Sequence, residues 1–190
     1  MIVTAKKILE LNKEHNLIEN LSEREVNNPE GFGFDLRLGE IYTINGDGYL
    51  GISDRYSPKA ELAARAGETD SFVLKPGQYV LVKTIESVNC PDKKIDLGRA
   101  CGEVFLMPDI YPRSTLQRCG VFLKATKTDA GYKGPLTFAM TNIGSGDFKI
   151  ELGARFVNVV FKTVHGELQR GYEGQWNGGR VDTRGTEKQV

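Results

Sequence analysis

Between Tyr111 and Gly134 the chain reads YPRSTLQRCGVFLKATKTDAGYKG, and its reactive side chains fall into two sets. Arg113 can fork two parallel charged hydrogen bonds onto phosphate oxygens, Ser114 and Thr115 can donate beside it, and Arg118 adds a second cation. Beyond a short apolar run, Asp129 stands just ahead of Gly131. A carboxylate held in such a turn can orient and deprotonate a water, or hold a metal-bound one. Tyr132 follows, with a flat face suited to a sugar or a base. Each set alone has an ordinary explanation: arginine before hydroxyls commonly marks a surface strand, and DAGYKG a hairpin turn. Their close succession favours an anion bound between them.

The elements that must carry these residues are mostly strands. FGFDLRLGEIYTI alternates and ends at the turn NGDG. SFVLKPGQYVLVKTIESV reads as two strands joined at Lys75-Pro76-Gly77. GEVFLMPDIYP is a β-rich run whose proline predicts an edge or a bend. GVFLKATKT, GPLTFAMTN and FKIELGARFVNVVFKTV follow, separated by DAGYKG and NIGSGD. Many short strands with frequent turns predict an all-β sandwich, jelly roll or barrel, and the lack of βα alternation disfavours a doubly wound fold. The N-terminus, TAKKILELNKEH, predicts a helix over about residues 4–14, capped by Thr4, with Ile8, Leu9 and Leu11 on its apolar face. YSPKAELAARAGETD reads as a loop with a helical turn. The end, HGELQRGYEGQWNGGRVDTRGTEKQV, is polar, Gly-rich and poor in aliphatic residues, the composition of a mobile arm.

The 190 residues suit one domain with an arm. Lys+Arg and Asp+Glu both number 25, so no net field recommends a nucleic acid or a membrane surface as partner. No apolar run is long enough to span a bilayer, and no secretion signal opens the chain, so a cytoplasmic location is expected. Cys90, Cys101 and Cys119 are odd in number and lack metal-ligand spacing, which predicts reduced, partly buried thiols. With His15 and His165 as the only histidines, a histidine triad or histidine-rich zinc centre is disfavoured.

PRSTLQRCGV followed by TDAGYKG resembles the second and third motifs shared by dUTP pyrophosphatases and dCTP deaminases. GFDLRLG, residues 33–39, is similar to that family's first motif; ELGARFVNVVF, residues 151–161, to the fourth; YEGQWNGGRV, residues 172–181, to the closing arm. The N-terminal helix looks like that of the deaminase-type branch, so the resemblance covers most of the chain in order. It implies a distorted jelly roll or β-sandwich over residues 1–165, with a flexible arm over 166–190 that closes the active site.

Within that family, deaminases carry a glutamate acid/base in the strand after the third motif. Counting from Gly134, that position is Ala139, and no carboxylate follows before Asp147. An alanine methyl cannot shuttle protons. The eight residues between Gly120 and Asp129 match the pyrophosphatase hairpin, which reads uracil largely through backbone groups. The resemblance therefore implies hydrolysis of dUTP to dUMP and pyrophosphate. Asp129 would activate water. Arg113, Ser114, Thr115, Arg118, Tyr132, Gln175, Trp176 and Arg180 would bind substrate, although the family often uses the arginine at 113 to brace an interface. Asp35 would hold a water of Mg²⁺, and the assembly would be a homotrimer with the phosphate motif, uracil hairpin and arm coming from different chains. The alternatives are dCTP deamination and a nucleotide-binding trimer without turnover. The chain departs from the family pattern at Asn158, where glutamine is usual, at Thr128, where a bulky apolar residue is usual, at Lys127, and in the longer KKIDLGRACGEVF, which would form an extra loop near the mouth.

Overall fold

A computed structural model describes residues 1–99 and 101–189. The chain opens with β1 (Ile2–Val3), α1 (Ala5–His15), β2 (Ile18–Glu19) and α2 (Glu23–Asn27). Then come β3 (Gly33–Asn45), β4 (Tyr49–Leu50), β5 (Asp54–Tyr56), β6 (Lys59–Arg65), β7 (Ser71–Leu74) and β8 (Tyr79–Asn89). The second half holds β9 (Ile95–Asp96), β10 (Glu103–Pro112), α3 (Ser114–Arg118), β11 (Val121–Lys124), β12 (Lys133–Asn142), β13 (Phe148–Glu151), β14 (Arg155–Val164) and β15 (Glu187–Lys188). The main sheet runs β11-β12-β8-β3-β14-β10-β9, with β1 on β14, β2 on β8 and β6 on β3. It curls on itself, and β7–β13 and β4–β5–β15 form two smaller sheets. No helix among the described residues is long and apolar enough to cross a membrane.

Alternation along the strands builds the core. Leu136, Phe138 and Met140 of β12 point inward beside Val80, Val82 and Val88 of β8, against Phe156 and Phe161 of β14. The same alternation carries Thr84 and Glu86 of β8 inside. Each is satisfied there: Arg37 donates both its backbone N–H and its Nε to Glu86 at 2.7 Å, and Thr84 bridges Glu86 and Leu136. Burial pushes the Glu86 carboxyl above its ordinary range, with Arg37 opposing. Helix α1 forms as its pattern predicts: the Thr4 hydroxyl accepts from Lys7 N–H, and Ala5, Ile8 and Leu11 are buried.

Three segments differ from expectation. KAELAAR has helical propensity but is β6, because its Ala64 fills a core position opposite Ile41 of β3, and pairing outweighs local preference. The RST segment begins helix α3 rather than a strand. KKIDLGRACGEVF, whose Ala100 lies outside the described residues, forms a small hairpin in which β9 pairs with β10 only at Glu103 and Val104. Pro108 therefore sits where one flank of β10 is open, which suits a residue without an N–H.

The arm lies against the rest of the chain. Its backbone bonds to the β12 hairpin, from Tyr172 N–H to Ala130 O at 2.6 Å and from Gly178 N–H to Lys133 O at 2.8 Å, and β15 adds to β5. Two glycines permit this close approach. Gly131 has φ +96° and a Cβ there would stand 2.8 Å from Tyr172 N; Gly134 has φ +143° and a Cβ would stand 2.7 Å from Gly178 C. Gly134→Ala is therefore expected to cost about 1–3 kcal/mol of backbone strain and to push the arm off the hairpin. Limited proteolysis should then cut within residues 166–189 much faster than in the parent, and an unchanged cleavage pattern would contradict this packing.

Candidate active site

The β11–β12 connection is pinned at its base by Gly131 N–H to Cys90 O at 2.6 Å and Cys90 N–H to Tyr132 O at 2.9 Å. The turn closes from Tyr132 N–H to Asp129 O at 3.1 Å. Thr128, in the position where an apolar residue was anticipated, is buried, and its neighbour Asp129 faces out with its side chain 46% exposed. Asp129 pairs with Lys127 of the same loop at 2.6 Å. Cys90 lies under this loop, its thiol donating to Leu106 O at 3.1 Å, and burial pushes its pKa up to about 12.

Beside the loop lies a cavity of about 390 Å³, within the range of small-molecule sites. The loop supplies Thr126, Lys127, Thr128 and Asp129; β12 supplies Leu136, Thr137 and Phe138; β8 supplies Leu81. The arm closes the rest with Tyr172, Trp176, Arg180 and Val181. Among the described residues Asp129 is the one carboxylate in this wall. Tyr132 also lines it, nearly buried, its hydroxyl bonded to Pro135 O and its ring 6.1 Å from that of Tyr172. Burial, with Tyr172 adding, pushes its phenol up to about 12, so it stays neutral. Ala139 sits one alternation beyond Thr137 on the same face of β12, paired with Leu81. The position expected to carry a deaminase acid thus adjoins the cavity and carries a methyl.

The structure brings Asp129, Tyr132, Trp176 and Arg180 together in one chain. It does not bring the other expected residues to that wall. Ser114, Thr115 and Arg118 are exposed on α3, a helix whose buried residue is Leu116, and none lines the cavity. The two halves of the 111–134 stretch therefore do not share a site within one chain. Gln175 also lies outside the lining, because its carbonyl accepts from Arg55 Nε at 2.6 Å and its amide donates to Lys188 O at 3.2 Å. The arm and the hairpin, expected from different chains, meet in the same chain.

Asp35 is 7% exposed, and its oxygens are occupied: Arg113 bonds one, Arg155 reaches the same oxygen at 3.0 Å, and Asn158 donates to the other at 3.0 Å. Arg24 stands 3.9 Å away, and Asp35 N–H donates to buried Glu25 at 3.0 Å. The residue that replaces the family's glutamine, Asn158, thus serves this network. Both oxygens of Asp35 thus already accept from side chains, so a metal-bound water would share them with Arg113, Arg155 or Asn158. Among the described residues no group of three or more His, Cys, Asp or Glu could cage a metal ion. The donors present fit Mg²⁺ only as an ion carried by substrate phosphates and waters, the common arrangement for this cation.

Arg55 was not anticipated. Its guanidinium lies 5.5 Å from the Trp176 ring centre as well as on Gln175. The chain offered no motif for it, since Arg55 and Trp176 are brought together only by the fold.

The family model described as dCTP deaminase-like matches residues 2–164. The dCTP deaminase, dUMP-forming, of Sulfurihydrogenibium sp. (strain YO3AOP1) is 32% identical over 152 residues, covering 78% of this chain and 77% of its own length. A probable deoxyuridine 5'-triphosphate nucleotidohydrolase of Methanosarcina acetivorans is 28% identical over 159 residues, covering 84% of this chain and 85% of its own. Among solved structures, the 2'-deoxycytidine 5'-triphosphate deaminase from Agrobacterium tumefaciens superposes with a TM-score of 0.61 at 19% identity, over 86% of this chain and 48% of that longer one. This last likeness is one of fold.

Proposed function

From the premise that this chain belongs to the dCTP deaminase-like family, we propose that it hydrolyses dUTP to dUMP and pyrophosphate. The observation that carries the proposal is the single carboxylate of the cavity wall, Asp129, with Ala139 at the position where deamination would need a second acid. One base suffices to deprotonate an attacking water; amine removal needs a group that also returns a proton to the leaving nitrogen.

The pyrimidine enters against Leu81, Leu136 and Phe138, and the deoxyribose packs on Tyr132, which leaves no room for a 2′-hydroxyl. Asp129, once Lys127 is drawn to the incoming phosphates, aligns a water on the α-phosphorus and takes its proton. Bound Mg²⁺ supplies charge neutralisation on the triphosphate. Trp176 and Arg180 close the mouth and exclude bulk water. Arg113, Ser114, Thr115 and Arg118 serve the cavity of a neighbouring subunit in a homotrimer, with Asp35 bracing Arg113. The exposure of Ser114, Thr115 and Arg118 on α3, away from their own chain's cavity, supports that arrangement.

A second reading, dCTP deamination, is favoured by the names of several relatives, among them the one at 32% identity. A product assay with dUTP, dCTP and dTTP in the presence of Mg²⁺ separates the two. The expected result is dUMP and pyrophosphate from dUTP, with the cytosine absorbance of dCTP unchanged. Loss of that absorbance establishes the second reading, and tight dUTP binding without any product would leave a nucleotide-binding trimer.

A further inference from the structure

The hairpin β4–β5 is the receiving surface for the arm. Beyond the β15–β5 pairing, Gln189 N–H donates to Ser53 O at 2.8 Å. Ser57 and Thr183 exchange backbone-to-hydroxyl bonds at 2.9 Å each, and Ala60 N–H donates to Asp182 at 2.9 Å. Arg55 stands at the centre. It holds Gln175 by Nε, and its guanidinium and that of Arg180 lie 5.5 and 5.7 Å from the ring centre of Trp176. Arg180 is itself fixed by Asp182 O at 2.8 Å and by an ion pair with Glu187 on β15. Trp176 and Arg180 line the cavity; Arg55 and Gln175 do not.

The geometry points to Arg55 as a positioning residue: through Gln175 and Trp176, the β4–β5 hairpin clasps the arm shut over its own chain's cavity before any nucleotide arrives. A polar, Gly-rich arm has too little apolar surface to stay closed unaided. The clasp sets the fraction of molecules whose cavity is complete, and apparent affinity scales with that fraction. At saturation the nucleotide itself holds the arm, so turnover is unaffected. The consequence for KM rests on the dUTP reading above; the clasp itself does not.

Trp176 is the only tryptophan, so intrinsic fluorescence reports the arm without any substrate. In Arg55→Ala the acrylamide quenching constant of the nucleotide-free protein is expected to rise about threefold, and KM for dUTP about fivefold, with kcat within about twofold of the parent. Gln175→Ala, which removes the acceptor from the other side, is expected to raise quenching in the same way. Saturating non-hydrolysable dUTP analogue should return the quenching of Arg55→Ala to the parent level. Unchanged quenching in both variants overturns the clasp. Raised quenching with an unchanged KM, or a fall in kcat equal to the loss in kcat/KM, overturns the positioning role. If the parent protein does not turn over dUTP, the function proposed above fails while the quenching comparison still decides the clasp.

Discussion

Asp129→Asn is expected to bind dUTP and to hydrolyse it about a thousandfold more slowly, the usual worth of a positioned general base. The substitution keeps the size of the side chain and its place in the turn, which is set by backbone bonds from Gly131 and Tyr132 rather than by the carboxylate. The amide cannot take a proton from water. It also releases Lys127 from its 2.6 Å pairing, so a free ammonium faces the triphosphate and binding does not weaken. The effect should therefore fall on kcat, with KM equal to or below that of the parent, the pattern of an interaction lost at the transition state. Pyrophosphate release in single-turnover experiments and calorimetric titration with dUTP measure the two quantities separately. A variant that keeps more than about a tenth of the parental kcat removes Asp129 from the base role, since general-base loss is worth at least about a hundredfold.

Asp35→Ala is expected to act on the fold rather than on the chemistry. It deletes the shared acceptor of Arg113, Arg155 and Asn158 and leaves Arg24 with one acidic neighbour fewer. Breaking a buried ion pair by removing one partner costs about 3–5 kcal/mol. The arginine side chains here are 36–39% exposed and regain water, which discounts the cost to about 2–3 kcal/mol. For a chain of this size that lowers Tm by about 8 °C. Asp35→Asn, which keeps the shape and one acceptor, should lose about half as much. Scanning calorimetry without Mg²⁺ decides between this and a metal-water role. If Asp35 served mainly to hold such a water, both variants would melt with the parent in metal-free buffer and differ only in the Mg²⁺ concentration required for turnover.

The chain alone specified the strands whose inward residues alternate, the capped helix α1 and the glycine-flanked turn that exposes Asp129. Each depends on interactions a few residues long: period-two patterning, a hydroxyl reaching the N–H three residues on, and backbone at positive φ. It also specified that position 139 carries no acid, a matter of identity and spacing. KAELAAR was misleading because a seven-residue helical preference is worth less than filling the core beside Ile41.

What the tertiary structure decided concerns residues far apart in the chain. Gln175 was expected at the nucleotide but faces Arg55, 120 positions away. Asp35 was expected at a metal; the fold sets it against Arg113 at the head of α3 and against Arg155 and Asn158 of β14, residues 78 to 123 positions away. The polar, Gly-rich composition of the arm carries no record of which edges lie within its reach; the fold sets its backbone against the β12 hairpin and β5. Sequence determines which groups exist and the local backbone that presents them. Which of them meet is settled by the register of strands on a curled sheet, where shifting one partner by a residue turns every side chain to the opposite face.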